Sequence, residues 1–267
     1  MTSPEEIIPG VIFYNYYSVE RTEKVCFWKD HTLILQVAGE LCLESAGQKI
    51  SMGAGEMLLI RKNQVGMLRK TPPPGSRYET IVISLQEELL RKIALEEKLE
   101  AVNKYAGPPN VLIPSNDFLQ GYFQSVVPYA RNTAANMIDE LGVLKVKEGV
   151  KLLQLALPGL NNFLFDFSAP YKIDLEKFMV SNFHFNVPVE KFAQLTGRSL
   201  SGFKRDFQKT FGAPPRHWLL DKRLHAAKYL IETRQQKPST IYLDLGFKSL
   251  SHFSHSFRKK FGKSPMS

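Results

Sequence analysis

The 267-residue sequence predicts a two-domain α+β chain. A small barrel of β-strands followed by helices comes first, and an all-α unit with two helix-turn-helix motifs joined by a long helix comes second. Three observations carry that prediction. Up to Leu85 the chain breaks into short apolar or alternating runs divided by turn residues, the pattern of a sandwich or barrel. From Gln86 onward helical spacing takes over. The last third then repeats itself at a fixed offset, which signals a duplicated supersecondary unit.

The runs that predict strands are Val11 to Tyr17, Lys24 to Trp28, Thr32 to Val37, Leu41 to Glu44, Glu56 to Ile60, Val65 to Arg69 and Tyr78 to Leu85. Between them lie Ala38-Gly39-Glu40, Ala46-Gly47-Gln48, Gly53-Ala54-Gly55 and Pro72-Pro73-Pro74-Gly75. After Gln86, Glu87/Arg91 and Glu88/Lys92 are i,i+4 pairs that favour an exposed helix face. Gly107-Pro108-Pro109 breaks that helix, and Asp117 to Arg131 and Met137 to Leu157 predict two more. The last of these carries Met137, Ile138, Leu141, Val143, Leu144, Val146, Leu152, Leu153 and Leu155, more apolar positions than one covering face needs. The surplus predicts a two-fold contact between subunits. Pro158-Gly159 ends the helix, and Ser168-Ala169-Pro170 predicts the linker, dividing the chain into 1–169 and 170–267.

The duplication lies beyond the linker. Ser199 to Gly212 reads SLSGFKRDFQKTFG, Ser249 to Gly262 reads SLSHFSHSFRKKFG, and eight of the fourteen paired positions are identical. On a helical wheel Phe203, Phe207 and Phe211 form one stripe, as do Phe253, Phe257 and Phe261. Ser201, Arg205, Gln208 and Lys209 point the other way, with Gly202 and Lys204 on the flanks. Their counterparts are Ser251, His255, Arg258 and Lys259, flanked by His252 and Ser254. Ser199 and Ser249 stand at N-cap positions, and Gly212 and Gly262 at C-terminal stops. Each copy follows a shorter helical pattern and a glycine-containing turn: Val189 to Leu195 with Thr196-Gly197-Arg198, and Ser239 to Leu245 with Gly246-Phe247-Lys248. A short helix, a tight turn and a second helix with a polar, basic front describe a helix-turn-helix, whose second helix enters the major groove. A solvated basic face has no reason to recur at matched positions. The twelve front and flank residues are therefore the expected contacts to double-stranded DNA. Pro215 to Thr233 has helical spacing without a breaker and predicts the joining helix.

Charge agrees with this division. The net charge is +9, but from Pro170 onward there are 18 Lys+Arg against 7 Asp+Glu, or +11, leaving −2 on the first 169 residues. Basic charge gathered in the duplicated region is the footprint of a phosphate-lined partner. A membrane surface would attract it too, but no apolar run approaches the ~20 residues of a span, and no charged-then-apolar leader is present. A cytoplasmic protein is expected. Cys26 and Cys42 have no metal-ligand spacing and predict buried, unpaired thiols.

From about Ile173 to Pro265 the chain resembles the DNA-binding domain of the AraC/XylS family of bacterial transcription regulators. The matching residues are Phe192-Ala193, Gly197, Ser199 and Phe207, then Ile241, Gly246-Phe247, Ser251-His252-Phe253 and Phe257 through Gly262 with Ser264-Pro265. The resemblance implies a seven-helix domain that reads successive major grooves, usually as an activator. Two departures stand out. Tyr242 replaces a customary alanine, and the sequence given stops at Met266-Ser267, before the usual seventh helix. Both predict a second motif packed differently from the first and less well supported. The first half, from His31 through Gly53-Ala54-Gly55-Glu56 and Met57 to Ile60 to Val82-Ile83-Ser84-Leu85, is similar to the cupin-like sensory domain of the ExsA-like branch. That implies control by a small-molecule effector or a regulatory protein, and pairing into a homodimer.

The alternative is a metal-dependent cupin enzyme with a helical accessory domain. Such enzymes hold metal with closely spaced histidines and a carboxylate, whereas His31 stands alone in the barrel and cannot build a three-ligand site. No nucleophile elbow or phosphate loop appears, so neither a catalytic residue nor a cofactor is expected. His252 and His255 have the helical spacing of a metal clamp but belong to the DNA-facing front. Tyr14, Tyr16, Tyr17 and Trp28 suit either core packing or stacking on a ligand.

Overall fold

The computed structural model describes residues 5–8, 11–45, 47–103, 105–131, 138–157, 159–167 and 174–265. The chain falls into two compact units, Met1–Phe167 and Ser168–Ser267. The expected linker 168–170 lies outside the described residues.

The first unit is built on two antiparallel sheets. Its strands are β1 (Glu5–Ile8), β2 (Ile12–Tyr17), β3 (Arg21–Trp28), β4 (His31–Ala38), β5 (Glu40–Ser45), β6 (Gln48–Met52), β7 (Met57–Ile60), β8 (Gln64–Thr71), β9 (Tyr78–Leu85) and β10 (Asn110–Ile113). One sheet runs β1-β2-β9-β4-β7-β10, the other β3-β8-β5-β6. All seven predicted strands are present. Unforeseen are β1, β6 and β10: β6 is polar at alternate positions, and β10 follows a helix rather than preceding it. It reaches the sheet edge by pairing Ile113 with Met57 and Asn110 with Ile60.

The six-stranded sheet is covered on both faces, which explains its continuous apolar runs. Side chains alternate across a strand. Ile34, Leu58, Ile60 and Tyr78 point toward the second sheet and meet Trp28, Leu41, Leu43, Met52 and Leu68 there. Leu33, Leu35, Met57, Leu59, Ile81 and Ile83 point the other way, into a core shared with the helices. Trp28 is thus core, and Tyr17 stacks on Tyr78 with ring centroids 6.1 Å apart. Cys26 and Cys42 are half-buried and unbridged, and burial pushes the Cys26 thiol up to about 12.

The helices of this unit are α1 (Glu87–Glu97), α2 (Asp117–Arg131), α3 (Ile138–Ala156) and the short α4 (Asn161–Leu164). Gly149 lets α2 and α3 approach closely, because a Cβ there would lie 2.6 Å from the Tyr122 phenol oxygen. Of the surplus apolar residues of α3, Val146 and Leu153 are buried, Leu152 is half-buried, and Leu141, Val143, Leu144 and Leu155 are exposed. The segment from α4 to Phe167 straps the domain closed. Phe163, Leu164 and Phe165 are buried, Arg61 pairs with Asp166 at 3.3 Å, and Arg91 lies 4.4 Å from the Phe167 ring centroid.

The second unit contains α5 (Leu175–Asn182), α6 (Val189–Leu195), α7 (Leu200–Phe211), α8 (Pro215–Arg234), α9 (Pro238–Ile241) and α10 (Leu250–Phe261). The second motif's leading helix is shorter than the expected Ser239 to Leu245. Pro238 starts it at a position that suits proline, and turns replace helix from Tyr242 to Gly246. Tyr242 is half-buried and packs on the cluster of Leu224, Ala227, Ile241, Phe253 and Phe257. Residues 266–267 lie outside the described residues.

His31 is buried, and its ring lies 4.9 Å from that of Phe163. Its Nδ1 accepts the Lys62 N–H at 3.3 Å, and its Nε2 has no partner. Burial, with Lys62 and Arg61 nearby, holds its pKa well below the usual 6.5. The folded state therefore binds fewer protons than the unfolded one, and stability falls as pH drops through and below about 6.5, approaching ~1.4 kcal/mol per pH unit. Thermal unfolding between pH 7.5 and 5 should show that slope in the native chain, and His31→Gln should flatten it. Equal slopes in the two proteins would remove His31 as the source.

Candidate nucleic-acid interface

The two matched helices are built alike. In α7, Ser199 Oγ accepts the Gly202 N–H at 3.2 Å, and Gly212 closes the helix at φ +68°. In α10, Ser249 Oγ accepts the His252 N–H at 3.2 Å, and Gly262 closes it at φ +73°. Phe203, Phe207, Phe253 and Phe257 are fully buried. Phe207 and Phe211 also pack on Trp218 of α8, with centroids 5.5 and 4.5 Å away.

The opposite faces carry the expected contact residues. Ser201, Lys204, Arg205, Gln208 and Lys209 are exposed on α7, and Ser251, His252, His255, Arg258 and Lys259 on α10. Gly202 and Ser254 are half-buried. Other cations of the same region, though exposed, are engaged by acids of α8. Lys260 pairs with Asp221 of α8, and Lys263 with Glu232 at 2.8 Å. Lys260 first, then His225, hold the Asp221 carboxyl below its ordinary range. These pairs moor α10 to α8 and leave Arg258 and Lys259 pointing outward.

The turns differ more than the helices. In the first motif Thr196 is fully buried, with its hydroxyl 2.8 Å from the Phe192 carbonyl oxygen, and Gly197 takes φ +67°. Arg198 then donates from Nε to Asp206 Oδ2 at 3.1 Å and from Nη1 to the Thr196 carbonyl at 2.7 Å. That locks the turn to the middle of α7. In the second motif the left-handed glycine comes one position earlier in the alignment, at Gly246 with φ +79°. Lys248 stands where Arg198 would, and buried Ser256 stands where Asp206 would. The second turn is held instead by Arg223 of α8, which donates from Nη1 to the Gly246 carbonyl at 3.2 Å.

Sequence reasoning missed Arg198, Asp206 and Arg223 as positioning residues. Aligning the copies could have flagged Asp206, the one carboxylate on either front, but no local pattern distinguishes Arg223 from other cations of α8. A cleft of about 600 Å³ opens between the two motifs, with Pro188, Val189, Leu219 and Phe247 in its wall and Arg216, Arg223, Lys248 and His252 among its polar lining.

The Arg198–Asp206 contact has a testable consequence. Arg205 Nε already lies 3.7 Å from Asp206 Oδ1. Arg198→Ala should cost about 2 kcal/mol of stability and also weaken DNA binding, because the released carboxylate would hold Arg205. Calorimetry and gel shift on Arg198→Ala and on the double variant with Asp206→Asn check this. The double variant should regain binding without regaining full stability, and failure to regain any would refute the link to Arg205.

Comparison with known proteins agrees with this geometry. Residues 192–267 match the family model described as a helix-turn-helix domain, and residues 31–158 match the ExsA N-terminal regulatory domain. The chain is 24% identical over 244 residues to the thermoregulatory protein LcrF of Yersinia pestis, covering 87% of this chain and 86% of LcrF. It is likewise 24% identical over 242 residues to the HTH-type transcriptional regulator ExsA of Pseudomonas aeruginosa, covering 89% and 85%. Over 91 residues, 34% of each chain, it is 34% identical to a virulence regulon transcriptional activator VirF of Yersinia enterocolitica. The chain thus matches an ExsA-type regulatory domain ahead of a helix-turn-helix domain, and over most of its length it is similar to transcription regulators.

Proposed function

We propose that this regulator activates transcription by reading two neighbouring major grooves, one with α7 and the other with α10, as a homodimer paired through its first domain. The observation that carries this reading is the repeated helix itself. Two equally capped, phenylalanine-backed helices present matched polar fronts and share one connecting helix. Residues 1–169 then serve as the regulatory domain and 170–267 as the DNA-binding domain. No enzymatic step is assigned: His31 is packed among Phe163, Arg61 and Lys62, a setting that repels a cation.

The regulatory input favours a protein partner over a small molecule inside the barrel. The space between the sheets is filled by Trp28, Ile34, Leu41, Leu43, Met52, Leu58 and Tyr78. Pairing is assigned to α3, where Leu141, Leu144 and Leu155 fall on one stripe at helical spacing and are exposed, Leu155 at 78%. A Leu144→Glu, Leu155→Glu variant should sediment as a monomer at concentrations where the native chain is a dimer, with the fold intact by circular dichroism. A native monomer at micromolar concentration would remove the assignment.

Within α7, Arg205 lies one turn in, where base edges come nearest. Its planar fork suits guanine O6 and N7, worth ~1–3 kcal/mol of discrimination. Lys209 lies a turn further on and suits phosphate. In a binding-site selection, Arg205→Ala should lose specific affinity and relax base preference at one position. Lys209→Ala should weaken all sequences about equally and flatten the log–log salt slope by about one unit. His255→Ala should matter less than Arg205→Ala, because an imidazole offers fewer donors than the guanidinium fork. An unchanged sequence preference for Arg205→Ala would disqualify α7 as the reader.

A further inference from the structure

We propose that Arg223, at the middle of α8, sets the spacing between the two DNA half-sites that this regulator accepts. The inference rests on the reading that α7 and α10 both enter DNA. Neither end of the Arg223 fork lies on a reading helix. Its Nε donates to the Phe183 carbonyl at 2.8 Å and its Nη2 to the Phe185 carbonyl at 2.9 Å. Both carbonyls belong to the turn that ends α5 and leads into the first motif. Its Nη1 donates to Gly246 in the turn of the second motif at 3.2 Å. One rigid, planar group therefore holds both motifs at once.

Gly246 shows how close this junction is. A Cβ there would lie 2.5 Å from the His184 carbonyl oxygen and 2.9 Å from Arg223 Cζ, so the second turn rests on the lead-in of the first motif. The other contacts of α8 are of a different kind. Trp218 packs on the phenylalanines of α7, and Leu224 and Ala227 pack on those of α10. Apolar contacts tolerate small rotations, whereas hydrogen bonds from a planar guanidinium do not. Burial lowers the Arg223 pKa to about 10, so the group keeps its charge and all its donors at neutral pH.

Rigidity at this point becomes a spacing rule on DNA. One inserted base pair moves the second half-site by roughly 3.4 Å and about 35° around the duplex axis. A body that cannot turn must then give up the contacts of one motif.

The test uses the full chain on the two-box duplex obtained by site selection, the same duplex with one base pair inserted or deleted between the boxes, and a single-box duplex. The native protein should lose at least about tenfold in affinity for either altered spacing. Arg223→Met keeps the bulk and removes the donors. It should bind the single box within about twofold of the native protein while its spacing penalty falls below about threefold. Arg223→Lys, with one charged donor, should fall between the two. Gly246→Ala, which pushes the same junction apart, should also lower the penalty. Circular dichroism melting establishes that each variant is folded, and Arg223→Lys and Gly246→Ala carry the test should Arg223→Met unfold. Folded variants that keep the native spacing penalty overturn the inference. So does a loss of affinity in equal proportion on every duplex, which marks a merely structural arginine. A native protein that binds one box as tightly as two overturns the two-helix reading itself.

Discussion

A single half-buried guanidinium ties the lead-in of the first helix-turn-helix motif to the turn of the second. Arg223 has no carboxylate partner among the described residues and spends its donors on three backbone carbonyls. A buried charge is costly unless its hydrogen bonds are made. Here the cost is offset because the carbonyls also need donors. Phe183 is the C-cap of α5, where carbonyls lack intrahelical partners and the helix dipole attracts a cation. The turns around it, the glycine at 246 and the position of α10 relative to α6 all follow from satisfying that fork. The connecting helix α8 shows no single apolar stripe for the same reason. Its first half serves one motif and its second half the other, so its buried residues are spread around the helix.

The two motifs keep the same reading helix and brace it differently. The first pins its turn to α7 through Arg198 and Asp206. The second has no acid at the matching position and ties α10 to α8 through Lys260 with Asp221 and Lys263 with Glu232. Exposed ion pairs contribute little to stability, but these two orient charge. They engage Lys260 of the basic run Arg258-Lys259-Lys260 with α8, while the second front carries His252 and His255 and no acid. The copies share the caps, the phenylalanine stripe and the pairs Ser201/Ser251 and Lys209/Lys259, and they diverge at the other front positions and where each meets its own neighbours.

The regulatory unit depends on a sheet buried on both faces. Its inner strands supply one core to the second sheet and another to the helices, so the strap from α4 to Phe167 is part of the domain rather than a loose exit. Arg61, Lys62, Arg91, Glu87 and Asp166 gather around that strap. Beside them the neutral ring of His31 presses on Phe163, the one unpaired imidazole nitrogen recorded among the buried side chains described. The described residues at the end of this unit are therefore held by aromatic packing together with charge contacts that weaken as ionic strength rises.

Much of this protein was legible in the sequence alone. Alternation and turn residues determined seven of the strands. Helical spacing determined α2, α6, α7, α8 and α10 to within a residue or two, because caps such as Ser199 and Gly212 are local chemistry. The polar front of the reading helices followed from the same periodicity, sharpened by the repeat. Other elements were decided only by tertiary structure. Strands β1, β6 and β10 carry too little apolar pattern to announce themselves, and each exists because a neighbouring strand offers it an edge. The shortening of α9 at Tyr242 reflects packing against α8 and α10. The roles of Arg198 and Arg223 could not be read locally, because a cation on a helical wheel looks the same whether it meets water or a carbonyl forty residues away. Periodicity reports which way a side chain points, and only the folded chain determines what it meets there.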